Sequence, residues 1–381
     1  MDGSSTKTDW TVRQPGRGLF ALAVTIGLAF TMSATVDLQT FNGIFTFITM
    51  SMVPTMAVIG LVWGAQYPPT QGLHQAWRGL ALTLLTMTLG TIYCIAFLRY
   101  RGDWVVQPFV AIALITSIVF VFFHIIGFGT WPWHKMSPPA QGLMTLVTAF
   151  VMGAWVVSSL YNFDFLSYPT GVNPSPIPHV PFYAQGGPLA AFAQLAPHGP
   201  IPWETMIAYM LWIMVPMWIL VHTGMWPLSK FPGLMKQPVM GIVFTLLCCV
   251  IGYVALKIGI DVMNIEPLKF LAIGISYIFG LLMLLTVFQT WPGSTMKQPL
   301  GGFVNAIVGI PLGMAGYYGI LAFCNWHFGA KAMVYPGNMF AIGGVMLGVT
   351  FPVWVLYTSF WDFWPLAPTP GPADAAGQQK P

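Results

Sequence analysis

The chain has 381 residues, of which 56% are hydrophobic and only 6% charged, with a formal net charge of +4. A soluble domain carries roughly 25% charged residues, so this chain cannot cover itself for water, and its small, dispersed positive charge offers no nucleic-acid-binding face. The four cysteines, Cys94, Cys248, Cys249 and Cys324, lie in or beside apolar stretches, with neither metal-ligand spacing nor a disulfide framework.

Residues 1–17 form a polar segment without a cleavable signal, so the first apolar span is expected to be retained. Ten spans follow, at 18–37, 43–64, 79–98, 104–128, 142–161, 205–226, 238–256, 267–289, 300–323 and 334–361. Each is long enough to cross a ~30 Å hydrocarbon core as a helix. The expected fold is all-α: a polytopic membrane helix bundle occupying residues 18–364. The longest connection, 162–204, is rich in proline and has two acids and no Lys or Arg; "PLAAFAQLA" within it reads as one short interfacial helix. Residues 365–381 read as a disordered tail.

Lys and Arg set the orientation. With the N-terminus inside, Lys7, Arg13, Arg17, Arg78, Lys135, Lys230, Lys236, Lys297 and Lys380 are cytoplasmic, and Arg99, Arg101, Lys257, Lys269 and Lys331 are external. This predicts cytoplasmic termini and a bacterial inner (plasma) membrane location.

Two marks recur along the chain. The starts of the odd-numbered spans share Gln14-Pro15-x-x-Gly18, Gln75-Ala76-x-x-Gly79, Pro138-Pro139-x-x-Gly142, Gln237-Pro238-x-x-Gly241 and Gln298-Pro299-x-x-Gly302. Eleven residues after each glycine stand Ala29, Gly90, Gly153, Gly252 and Gly313. Eleven residues at about 100° each is nearly three turns, so the two small residues share a face suited to close helix contact. The even-numbered spans end in Tyr67-Pro68, Trp131-Pro132, Trp226-Pro227, Trp291-Pro292 and Trp364-Pro365. The pattern predicts five tandem two-helix units, all in parallel orientation and so related by rotation about the membrane normal. Its plain meaning is structural: helix ends and helix contacts.

Function should then sit where the units differ. His124 and His222 stand inside even-numbered spans, and an ionisable residue in a span is a functional candidate. Facing each other, they could hold haem iron or another metal, or hydrogen-bond a solute; the structural alternative is that each satisfies a backbone carbonyl. Asn305 and Gln289 are further polar candidates for substrate binding. Met206, Met210, Met214 and Met217 form a helical stripe; thioethers suit Cu(I), which makes Met214 and Met217 metal candidates, although methionine commonly fills gaps in a bundle. Pro54, Pro216, Pro311 and Pro352 interrupt spans. No carboxylate falls at mid-depth, and there is no nucleotide-binding loop, metal-binding His-x-x-x-His helix or nucleophile elbow.

The first expectation is therefore a transporter or channel for a small neutral or weakly polar solute, rather than an enzyme. The alternatives are a redox or metal-binding subunit with intramembrane histidine ligands to haem or copper, and a non-catalytic subunit of a larger complex. The expected partners are the lipid bilayer, a small-molecule solute, and a second copy of the chain or partner subunits.

Overall fold

A computed structural model describes residues 13–67, 70, 72–163, 190–330, 333 and 337–366. Most of the long loop and the tail after 366 lie outside these residues, as do Lys7, Lys331 and Lys380. Among the described residues ten helices are long and apolar enough to cross a membrane: α1 Gly16–Ser33, α2 Leu38–Val62, α3 Gln75–Arg101, α4 Pro108–Gly127, α5 Pro138–Leu160, α6 Trp203–His222, α7 Val239–Val262, α8 Pro267–Thr286, α9 Leu300–Gly329 and α10 Asn338–Phe360. A multi-pass membrane protein is the only economical reading of such a set.

The helices sort by burial. In the most apolar stretch of each even-numbered helix 61–72% of residues are buried, against 28–33% in the odd-numbered helices. The even helices are therefore inner and the odd ones outer, their free faces carrying side chains such as Leu143, Val250 and Ile307 that suit lipid. The inner helices touch in sequence, α2 to α4, α4 to α6, α6 to α8 and α8 to α10, and α10 returns to α2.

The glycines explain where the outer helices lie. The second small residue of each odd helix sets it along the preceding even helix. A Cβ added to Gly90 would meet Cα of Met52 at 3.1 Å, one on Gly153 would meet Cα of Ser117 at 2.8 Å, one on Gly252 would meet Cα of Ile213 at 3.1 Å, and one on Gly313 would meet the carbonyl of Ser276 at 2.1 Å. In α1 the counterpart Ala29 is fully buried, and α1 packs along α10.

The first glycine reaches one inner helix further back. Gly142 of α5 faces Trp63 at the end of α2, Gly241 of α7 faces Phe128 after α4, and Gly302 of α9 faces the backbone of Thr223 after α6. Gly18 of α1 faces Phe288 after α8, and Gly79 of α3 faces Trp361 after α10. Each outer helix thus wedges between two consecutive inner helices, and the same step carries across the chain ends. In each of these contacts the start of an odd helix meets the corner that follows an even one.

Each even helix ends in the same corner. Two consecutive residues take left-handed conformations: Gly64 and Ala65, Gly129 and Thr130, Gly224 and Met225, Gln289 and Thr290, Asp362 and Phe363. A side chain there costs roughly 1–2 kcal/mol, which is why glycine leads three of the pairs. In four corners the amide before the pair reaches back five residues, and the second residue of the pair reaches back six, as in Phe128 to Phe123 and Thr130 to His124. These bonds satisfy carbonyls that a helix end otherwise leaves bare.

The glutamine of the odd-helix motif locks the corner to the outer helix. Gln237 accepts from Gly241 N–H through Oε1 (3.3 Å) and donates through Nε2 to the Gly127 carbonyl (2.8 Å). Gln14 does the same with Gly18 N–H (3.1 Å) and the Val287 carbonyl (3.3 Å). A carboxamide suits this position because it caps an N-terminus and grips a C-terminal carbonyl at once. The motif proline stands at the N-cap of α1, α7 and α9, one step before the first turn.

At the opposite end, Tyr161–Asn162 and Ile201–Pro202 form two short parallel strands. Tyr161, Phe163, Trp203 and Phe340 stack in one column, with adjacent centroids 5.9–6.2 Å apart. Burial pushes the Tyr161 phenol above its ordinary pKa. Residues Ala190–Leu195 form a 3-10 turn where the sequence suggested an interfacial helix.

Charge divides between the two ends. The corner end carries Arg13, Arg17, Arg78, Lys135, Lys230, Lys236 and Lys297 against Asp362; the other carries Arg99, Arg101, Lys257 and Lys269 against Asp37, Asp103, Glu204, Asp261 and Glu266, among the described residues.

Candidate functional site

His124 stands one turn before the α4 corner. Its Nε2 lies 3.0 Å from the carbonyl of Trp131, an atom that can only accept, so Nε2 carries the proton. Tyr357 holds the corresponding place in α10, and its hydroxyl donates to the Phe363 carbonyl at 3.3 Å. His124 is therefore a corner-capping side chain; its Nδ1 is buried without a protein partner.

His222 occupies a different position, directly before the α6 corner. Its Nε2 donates to the Leu281 carbonyl (3.1 Å), which leaves Nδ1 to accept from Nδ2 of Asn305 (3.3 Å). Asn305 also donates to the Thr290 carbonyl (2.8 Å) and accepts from Gly293 N–H (2.9 Å). Every one of these bonds fits a neutral imidazole, and both its nitrogens are committed. The network ties α6, the α8 corner and α9 together.

The α6 corner needs this tie. Thr223 stands where the other four corners have Trp63, Phe128, Phe288 and Trp361, so there is no aromatic ring to fill the space against the outer helix. Gly302 closes directly on the α6 backbone instead, its virtual Cβ 2.4 Å from the His222 carbonyl.

The structure thus joins His222 to Asn305 and places Gln289 in the neighbouring α8 corner, where its Oε1 accepts from Gln14 at 3.2 Å. It does not pair His124 with His222; each is bonded to separate partners. Met214 and Met217 are buried in α6. Among the described residues no group of three or more His, Cys, Asp or Glu could hold a metal ion. Of the candidates His124, His222, Met214 and Met217, His124 Nδ1 and the two sulfurs are the atoms that copper or haem iron could take without breaking a hydrogen bond, since binding at His222 breaks one.

A cluster that sequence inspection missed lies halfway along α10. Gly344–Thr350 forms a π-helical segment, in which Phe351 N–H takes the Met346 carbonyl. That carbonyl, four residues back, is the one a threonine hydroxyl at 350 would ordinarily use. Pro352 follows and has no N–H to give to Gly348. The hydroxyls of Thr49, Thr55 and Thr358 on other inner-helix positions donate to carbonyls three or four residues back. Thr350 donates to none, and one turn on, Trp354 Nε1 is also without a partner. Both residues are fully buried, and the Trp354 ring packs on Phe279 of α8 at 4.4 Å. Only Pro352, visible as a span interruption, pointed to this region.

No described protein family, curated protein or solved structure matches this chain.

Proposed function

We propose that the chain is a transporter or channel for a small neutral or weakly polar solute, built from five two-helix units in parallel orientation around one axis. The repeated wedge of each outer helix between two inner ones, with the step continuing from α10 to α1, supports the rotational arrangement. The single observation that carries the solute reading is the middle of α10. Two hydrogen-bond donors one turn apart on this inner helix, Thr350 Oγ1 and Trp354 Nε1, are buried and unpartnered. An unpaired buried donor costs roughly 1–3 kcal/mol. An oxygen acceptor on a passing solute would satisfy both donors, and the lack of any mid-depth carboxylate suits an uncharged one.

In this reading His124, His222, Asn305 and Gln289 hold the corners in register rather than touch the solute throughout its path. The cation-rich corner end is cytoplasmic by the positive-inside rule, with both termini on that side of a bacterial inner membrane. The test is osmotic swelling of proteoliposomes in glycerol and in acetamide. Swelling above that of protein-free vesicles, reduced in Thr350→Val, is the expected result; rates equal to protein-free vesicles overturn the proposal.

One observation favours a second reading, a non-catalytic subunit of a larger membrane complex: the His222–Asn305 network closes on protein groups alone. A blue-native gel of the native membrane showing the chain only in a larger assembly, with no solute flux from the isolated chain, selects it. A visible absorption band and stoichiometric metal in purified protein would select the redox alternative.

A further inference from the structure

We propose that the corner end of the bundle is a binding surface for anionic phospholipid, centred on the loop between α6 and α7. That loop, residues 228–237, is the longest of the corner connections between Trp-Pro and the next outer helix. It presents Lys230 and Lys236 to solvent, and between them the apolar side chains Phe231 and Met235 are 58% and 40% exposed. Exposed apolar side chains flanked by lysines on the surface of a membrane protein suit the boundary between headgroups and acyl chains. Lys230 lies over the ring of Trp226, 5.7 Å from its centroid, which holds the ammonium at the level of an interfacial aromatic.

The same combination stands at two other seams: Lys135 beside Met136, and Lys297 beside Met296, all exposed. Charge distinguishes this surface from the far end. Lys257 and Lys269 there are paired with Asp261 at 2.8 Å and Glu266 at 3.4 Å. Lys135, Lys230, Lys236 and Lys297 have no carboxylate partner among the described residues, and no acid occurs in the chain from 205 to 260. Asp362 is the one described acid at this end and lies by Arg17, so the four lysines take their counter-charge from the lipid. The ligand is the phosphodiester headgroup of an anionic glycerophospholipid, held by several lysines at once, with Phe231 and Met235 among the upper chain carbons. The inference does not depend on the solute reading, because it concerns the outer rim and not the interior.

The experiment is lipid selectivity by electron paramagnetic resonance. The full chain is reconstituted in phosphatidylcholine vesicles containing either spin-labelled phosphatidylglycerol or spin-labelled phosphatidylcholine, and the immobilised fraction is compared. The expected result is a several-fold preference for phosphatidylglycerol that weakens as salt rises. It should fall towards unity in the variant K135Q/K230Q/K236Q/K297Q and survive in the matching Lys→Arg variant. Because the four side chains are exposed, the glutamine variant should keep the wild-type Tm, which separates lost binding from lost folding. Equal immobilisation of the two lipids by wild type overturns the proposal. So does a preference that persists undiminished in the glutamine variant, because the selectivity then resides elsewhere.

Discussion

The corners and the middle of α10 are opposite solutions to the same problem, that of breaking a helix inside an apolar protein. At a corner, two left-handed residues free several carbonyls, and nearly all of them are met again: by amides reaching back five and six residues, by Gln14, Gln75 or Gln237 from an outer helix, and by His124 or Tyr357 from the helix itself. Halfway along α10, a π-helical segment and Pro352 disturb the ladder just as much, yet Thr350 and Trp354 are left unmet. Other buried donors are unmet as well, Trp203 and Trp218 of α6 among them; the α10 pair differs in standing one turn apart beside a π-helical segment and a proline.

Substitutions should separate the two regions by size and by sign. Gly313→Leu forces a side chain into the Ser276 backbone and should cost more than about 3 kcal/mol, read as loss of the folded species in detergent. Gly319→Leu on the same helix meets nothing within 4 Å and should change stability little. His222→Ala strands Asn305 and the Leu281 carbonyl and should cost about 2–3 kcal/mol in thermal unfolding; His124→Ala, which frees one corner carbonyl, should cost less. Gln237→Ala should cost about 1–1.5 kcal/mol. Thr350→Val should act with the opposite sign, raising stability by about 1 kcal/mol because an unmet hydroxyl disappears, while lowering solute flux. A loss of stability in Thr350→Val would place that residue with the corners and remove the contrast.

The smallest effect is one of pH. Asp37 caps the start of α2 by accepting from Thr40 N–H at 2.8 Å, and that bond holds its carboxyl below the ordinary 3.8. A depressed group contributes its stability above the unfolded value and loses it as pH falls through the folded one. Wild type should therefore lose slightly more Tm than Asp37→Asn on acidification through pH 3.8 and below. Parallel curves would show that the cap does not matter.

How much of this was legible beforehand depended on whether the signal was local. Span lengths and the paired glycines follow from apolar runs and an eleven-residue spacing, which are properties of one helix at a time; the inner and outer character of alternate helices came only with their burial. The partner of each glycine does not follow, because nothing at Gly142 says that Trp63, three spans earlier, will fill the space above it. The α2 corner hid its equivalence further, since it places one extra residue, Gln66, between its left-handed pair and Tyr67-Pro68. His222 and Asn305 were each noticed as polar residues in apolar spans, but their meeting depends on Gly302 letting α9 close on α6, a long-range fact. Thr350 drew no notice, because a threonine in a membrane helix ordinarily bonds its own backbone, and that this one does not is seen only in the folded helix.

The account rests on the inner and outer helices closing into a ring across the chain ends, with α1 seated against α8 and α10. The most direct test is cross-linking of Gln14→Cys with Gln289→Cys in a chain lacking its four native cysteines, using a short bifunctional thiol reagent in native membranes. The ring predicts rapid cross-linking of this pair and none for Gln14→Cys with Gly129→Cys at the α4 corner. Failure of the first pair, or equal reaction of the second, would mean that α1 is not held where a closed ring requires it.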